Sequence, residues 1–314
     1  MYNGVISVYK EKGFTSFDVV AKLRGILHQK KIGHPGALDP DAEGVLVVCL
    51  GSATKLCEIL TDKDKSYEAT LLLGKTSDTE DGSGKILTEC EVTASQEEVE
   101  RTIRSFVGEY MQVPPMYSAI KVNGKKLYEL AREGKEIERT PRPVVIHSID
   151  IVSIDLPHVT FKVECGKGTY IRSLCRDIGE KLGCGGLMER LVRNSVNSTE
   201  TGKTFTKEDA LTLDEIEQLV KSGRIEDRIL SIDSMFPKML RVRVQAEGIK
   251  KLANGNILKT RDLCMLDSSD TKTVRQYEQE GIQCLVYDEE NRFTAIYQYN
   301  TKLHAWKAEK MFLS

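Results

Sequence analysis

Apolar residues fall along the chain in short runs broken by glycine, proline and polar turns, and the period of each run predicts an element. Val5 to Tyr9 reads as a first strand. Val19, Val20, Leu23, Ile26 and Leu27 then recur at helical spacing, behind Ser16 as N-cap and Asp18 in the first turn. Lys30 and Lys31 close that helix, where cations suit its negative end. Val45 to Leu50 is an unbroken apolar run, expected of a buried strand, and Ser66 to Gly74 is a further strand. Ser95-Gln96-Glu97-Glu98 is a capping box that opens a helix through about Phe106. Asn123-Gly124 marks a hairpin turn, followed by a short helix ending near Gly134.

Strands are expected at Val144–Ile154 and Val159–Cys165, then a helix after Gly168, with Thr169 as its candidate cap. Thr206-Lys207-Glu208-Asp209 opens an acidic helical region that ends near Gly223. After a boundary at Ser234–Pro237 the pattern shortens. Leu240–Val244, Ile282–Tyr287 and Arg292–Tyr299 read as strands, with a short helix at Gly248–Ala253 and a turn at Asn254–Asn256. Short strands in this number suggest a small barrel. No internal repeat or low-complexity segment is present.

A chain of 314 residues suits one large domain and a smaller one. No apolar run reaches the ~18 residues of a membrane span, and Met1-Tyr2-Asn3-Gly4 lacks a signal-peptide pattern, so a cytoplasmic protein is expected. The eight cysteines are scattered with no C-x-x-C pair, which speaks against zinc and for reduced, mostly buried thiols. The net charge of −2 argues weakly against a nucleic-acid partner, but the charge is segregated. Residues 120–147 carry seven Lys/Arg against four acids, 236–263 carry seven against two, and 60–100 carry eleven acids against four lysines. Basic surface patches are therefore available inside a near-neutral total.

The densest stretch chemically is 33–44, Gly-His-Pro-Gly-Ala-Leu-Asp-Pro-Asp-Ala-Glu-Gly. Three glycines can take positive φ and two prolines fix φ, so a rigid loop should hold Asp39 and His34 against the edge of a core sheet. Taken alone, Asp39 reads more simply as a turn residue and His34 as a surface histidine. Gly74-Lys75-Thr76 invites a phosphate-loop reading. The glycine that motif needs five positions earlier is Ala69, inside an apolar strand, so nucleotide binding is rejected.

Residues 33–55 follow the string GHxGxLDPxAxGVLxVxLGxATK and resemble the TruB-type pseudouridine synthases. The resemblance continues at Tyr67 to Gly74, at the acidic stretch Ser77 to Asp81, at Gly168-Thr169-Tyr170-Ile171-Arg172-Ser173-Leu174 and at Gly185 to Arg193. It also covers Lys10 with Gly13, Thr15 and Ser16. Departures are Glu11 for a proline, Pro35 and Ser77 for threonines, and a stretched Thr201 to Phe205 where the family has Gly-x-Phe.

The resemblance implies an α+β fold: a mixed, mainly antiparallel sheet with flanking helices, plus a C-terminal PUA-like β-barrel. Residues 1–233 would be catalytic, with an RNA-clamping insertion at about 108–142, and 234–314 would bind RNA. The implied reaction converts uridine to pseudouridine at position 55 in the T-loop of tRNA, without cofactor, metal or nucleotide, in a monomer bound to the T-stem-loop. Asp39 would be the catalytic carboxylate, Tyr67 would stack on the uracil, Arg172 would pair with Asp39, and His34 and Lys10 would contact substrate. An arginine at a helix start opposes the dipole, which a nearby carboxylate would explain. Two other classes stand beside this one. One is a catalytically silent RNA-binding or tRNA-folding protein on the same scaffold. The other is a glycosidase with paired carboxylates, for which no second carboxylate has a comparable claim.

Overall fold

The computed structural model describes residues 1–60, 64–122, 124–198, 202–267 and 272–313. Its larger sheet runs, in spatial order, through β1 (Gly4–Lys10), β3 (Glu43–Leu50), β12 (Gly186–Ser198), β4 (Asp64–Leu73), β11 (His158–Cys165), β10 (Arg142–Asp155) and β7 (Gly108–Gln112). β2 (Ile32–Gly33) adds to β3 and β13 (Lys203–Thr206) adds to β12. Neighbours pair antiparallel except β3 and β12, which run parallel where Gly44 faces Arg193. Gly44 sits at φ 105, and a Cβ there would lie 2.2 Å from the Arg193 carbonyl oxygen, so only glycine allows this approach. Of the three glycines in 33–44, it alone takes positive φ. Two small hairpins stand apart: β5 (Lys75–Ser77) with β6 (Ile86–Glu89), and β8 (Lys121–Val122) with β9 (Lys125–Lys126). The β8–β9 pairing fits the expected tight turn, with Gly124 at φ 85; Asn123 lies outside the described residues, as does Thr201.

The apolar run at 45–50 is explained by burial on both faces. Leu46, Val48 and Leu50 pack with Val19, Val20 and Leu23 of α1 (Ser16–Ile26) and with Leu213 and Ile216 of α5 (Leu213–Lys221). Val45, Val47 and Cys49 point the other way, into a core shared with Leu285, Tyr287, Ile296 and Phe312. Those four belong to the C-terminal part, whose sheet runs β15 (Leu263–Met265), β14 (Leu240–Val244), β16 (Gln283–Tyr287), β17 (Phe293–Asn300), β18 (Ala305–Met311), with α6 (Ile249–Ala253) before β15. A two-bond bridge between Leu258 and Trp306 ties the segment before β15 to the edge strand β18. The short strands β15 and β18 carry too little alternation to stand out in sequence.

A third core joins β4, β10, β11 and β12 to α2 (Gln96–Arg104) and α4 (Ile171–Lys181). Gly179 lets α4 lie directly on the start of β12: a Cβ there would come within 2.2 Å of the Gly185 and Gly186 backbone. The remaining helix, α3 (Leu127–Arg132), follows β9.

Several helix ends differ from expectation, and at Ser16 and Thr169 the reason is a backbone group that claims the hydroxyl. Thr15, not Ser16, caps α1: its oxygen accepts from Asp18 N at 3.0 Å, and Asp18 answers the Thr15 N–H at 2.9 Å. Ser16 instead binds the backbone of Leu38, accepting at 2.9 Å and donating at 3.2 Å. α1 stops at Ile26, so Lys30 and Lys31 lie beyond it. Ser95 accepts from Glu98 N at 3.2 Å, giving one half of the expected box. Thr169 donates to Gly166 O at 2.9 Å rather than capping α4, whose N-cap is Tyr170. Residues 206–209 close β13 and turn; the acidic helix opens later, at Leu213, behind a Thr212–Glu215 box.

Candidate active site

Asp39 lies in the loop that leads into β3, the second strand of the larger sheet, between edge strand β1 and β12. Buried cations fasten it from below. The Lys10 ammonium donates to the carbonyls of Ala42 (2.6 Å), Pro40 (3.0 Å) and Glu11 (3.1 Å), and Lys10 is wholly buried. Burial pulls its pKa down to about 8, against the opposing pull of Asp39, Asp41 and Glu43. This corrects the substrate contact expected of Lys10: with its three donors on backbone carbonyls, it shapes the loop. Arg193 of β12 works alongside it. It is 2% exposed and donates to Val45 O at 2.7 Å, Ala37 O at 3.2 Å and Gly36 O at 3.3 Å.

Arg172, in the first turn of α4, grips Asp39 with two nitrogens, Nε at 3.0 Å and Nη2 at 3.3 Å. Such a fork fixes both the position and the plane of a carboxylate. The guanidinium is itself oriented by Thr79 O (3.0 Å) and Tyr117 O (2.8 Å), with the Asp81 carboxylate at 3.8 Å. The carboxylate partner expected from the helix dipole is therefore present. Arg172 is 6% exposed at its side chain, whereas Asp39 keeps 40%, so the carboxylate is the member that a substrate can reach. Protein around Asp39 still desolvates it, and that raises its pKa above the usual carboxylate value; Asp81 adds to the rise while Arg172 and Lys10 oppose it.

Tyr67 stands on β4, directly across from Arg193 on β12. Its neighbours Ala69 and Leu71 point into the same core, which follows from the alternation of the strand. Burial pushes the Tyr67 phenol up to about 12, with the Arg193 guanidinium pulling the other way and Asp39 adding a smaller rise. Burial holds the His34 imidazole below the ordinary pKa, and the charge of Arg193 adds to the lowering and links it to the group. Its Nδ1 is buried without a hydrogen-bond partner. Among the described residues no group of His, Cys, Asp or Glu side chains is arranged to hold a metal ion.

Two residues here carried no role in the sequence reading. Arg193 closes a quoted stretch without an assignment, on a strand where Glu189, Arg190 and Asn194 keep its charge from standing out. Asp81 supplies a second carboxylate near Asp39, but across Arg172 from it and tied to Thr79 and Ser83 hydroxyls at 2.6 Å each. An Arg-bridged arrangement of this kind is not an acid–nucleophile pair flanking one bond, which removes the basis of the glycosidase reading.

Comparison with known proteins places the chain among close relatives. Residues 24–171 match the family model described as TruB family pseudouridylate synthase (N terminal domain), and 172–237 match tRNA pseudouridylate synthase B C-terminal domain. A tRNA pseudouridine synthase B of Lachnoclostridium phytofermentans is 52% identical, covering 99% of this chain and 100% of the relative. One of Clostridium novyi is 44% identical over the same shares of the two chains. Among solved structures, a Cbf5-Nop10-Gar1 complex superposes with TM-score 0.67 at 24% identity, covering 99% of this chain and 85% of the other, a likeness in fold. With family models matched over residues 24–237 and relatives of this identity along its whole length, the chain belongs to the TruB family of pseudouridylate synthases.

Proposed function

We propose that the protein isomerises uridine to pseudouridine in tRNA, at position 55 of the T-loop. The observation that carries the assignment of chemistry is the forked Arg172–Asp39 pair, buried at the arginine and open to solvent at the carboxylate. The reaction breaks the N1–C1′ bond, turns the uracil, joins C5 to C1′ and moves a proton from C5 to N1. Nothing is oxidised, so no redox cofactor is needed. Asp39 is the nucleophile or charge stabiliser. Arg172 keeps it ionised in a site where burial favours the neutral acid. Tyr67 stacks on the base and takes part in loss of the C5 proton. The target base leaves its stack at a cost of a few kcal/mol, and His34 fills the gap.

The inserted segment and the C-terminal sheet supply the RNA contacts, with residues 1–233 as catalytic domain and 234–314 as RNA-binding domain acting in a cytoplasmic monomer. Lys126 and Arg132 lie 5.3 and 5.5 Å from the Tyr128 ring centre, an arrangement that offers both charge and a stacking face to RNA. A silent RNA-binding protein would not need the Arg172 fork on a solvent-open carboxylate. The test is to incubate purified protein with unmodified tRNA and map pseudouridine. Product at position 55 alone is expected; binding without product would leave the silent reading in its place.

A further inference from the structure

Glu80 lies in the acidic turn after β5 and is almost fully buried. Its backbone adopts φ 63, the left-handed region that a side-chain-bearing residue enters only when its surroundings enforce it. The enforcing contacts come from three parts of the chain. Ser173 of α4 donates to its carboxylate at 2.6 Å, Arg176 of α4 binds the other oxygen, and Arg139 approaches that same oxygen at 3.7 Å. Its backbone carbonyl accepts from Met188 N on β12 at 3.1 Å.

The two arginines do more than neutralise a buried charge. Arg176 also donates to Val113 O at 3.0 Å, and Arg139 donates to Pro114 O at 3.1 Å. Val113 and Pro114 lie toward one foot of the insertion and Arg139 toward the other; Arg176 ties the first foot to α4 directly, and the Glu80 carboxylate joins Arg139 of the second foot to Arg176. One residue before Glu80, the Thr79 carbonyl holds Arg172; inside the insertion, the Tyr117 carbonyl holds the same guanidinium.

We propose that Glu80 is a positioning residue that latches the segment 113–139 onto α4, so that the seating of this segment sets Arg172 against Asp39. When the feet are latched, Tyr117 O stands at Arg172 and completes the orientation of the fork. When they are loosened, Arg172 loses that carbonyl and the Asp39 carboxylate loses its fixed plane. That the segment is seated by RNA rests on the function proposed above; the latch itself does not.

The test compares Glu80→Gln, Arg139→Gln and the double variant, using a lysine-specific protease and turnover on tRNA. Lys121, Lys125 and Lys135 are exposed within the segment and unchanged in all three. With thermal midpoints near the parent, Glu80→Gln should raise cleavage in 121–135 and lower kcat, each by about tenfold. Arg139→Gln should do the same more weakly, Arg139→Lys should restore part of the loss, and the double variant should be no worse than Glu80→Gln, because the pair acts as one unit. Unchanged cleavage in Glu80→Gln, or losses that simply multiply, would overturn the latch. Should Glu80→Gln not fold, Arg139→Gln and Arg139→Lys carry the same comparison. A parent that forms no pseudouridine defeats the proposed function, while the protease measurement, made without RNA, still decides on the latch.

Discussion

Two segments meet at Arg172, and they are held in opposite ways. The loop carrying Asp39 is fastened along its length from the protein interior: Arg193 at Gly36 and Ala37, Ser16 at Leu38, Lys10 at Pro40 and Ala42. The insertion is tied chiefly at its feet, and between residues 121 and 139 only Leu127 is buried among the described residues. Opening a segment with so little burial costs far less than global unfolding. The contrast separates two demands. A carboxylate that must stabilise developing charge gains from being placed before substrate arrives. A surface that must fit an RNA stem gains from yielding.

The largest effect should come from removing the charge at the fastened loop. Asp39→Asn keeps shape and hydrogen-bonding atoms but deletes the carboxylate. Turnover should fall by several orders of magnitude, while T-stem-loop RNA binds within about tenfold, roughly 1.4 kcal/mol, of the parent. Asp41 is exposed and Glu43 faces Arg190 at 3.8 Å, so Asp41→Asn and Glu43→Gln should be mild. Measuring binding and product formation in parallel checks this; a dead Asp41→Asn would move the catalytic assignment.

Arg172→Met comes next, with a pH signature. Arg172 lowers the Asp39 pKa against desolvation. Without it the carboxylate takes up its proton at higher pH, so the acid limb of kcat should shift upward and activity should be lost over a range where the parent still works. Arg172→Lys should keep the limb near its parental place, because the charge remains, yet recover only part of the rate, because an ammonium lacks the fork. A limb that does not move in Arg172→Met would show that the arginine has no hold on the Asp39 proton.

The sequence disclosed the two regions unequally. Asp39, Tyr67 and Arg172 could be located because each sits in a string of residues too long to arise by chance, and the buried strand at 45–50 because both its faces are apolar. Lys10 was misread for a physical reason: its partners are backbone carbonyls, which any sequence supplies, so nothing in the residue types announces that the ammonium points inward. Arg193 went without a role for the same reason. Glu80 is legible only in three dimensions, since Ser173 and Arg176 lie 93 and 96 residues away from it and Arg139 lies across the insertion. Caps at Thr15 and Tyr170 were missed by one residue because Ser16 and Thr169 have hydroxyls that longer-range or local carbonyls claim first.

Lys10→Met probes the fastening itself. The stem of methionine fills similar volume, but the carbonyls of Pro40 and Ala42 lose their buried donor. The expected cost in stability is about 1–3 kcal/mol, with kcat lowered by about tenfold and tRNA affinity unchanged, because the loop rather than the RNA surface is disturbed. A rise in KM with kcat intact would instead return Lys10 to the substrate side of the site.

The smallest effect is expected at Pro35, and it sharpens the comparison most finely. The family resemblance puts threonine where this chain has proline, and a first expectation is that proline supplies rigidity to the loop. Arg193, Ser16 and Lys10 hold the backbone at Gly36, Ala37, Leu38, Pro40 and Ala42, on both sides of Asp39. Rigidity at Asp39 therefore does not depend on the fixed φ of residue 35. Pro35→Thr should keep kcat within about threefold, and its main cost should be the few tenths to 1 kcal/mol of extra freedom given to the unfolded chain. Thermal melts and initial rates on tRNA measure both quantities. A drop in kcat beyond tenfold with a normal melt would mean that the segment before Gly36, and with it the placement of His34, is part of the fastened unit.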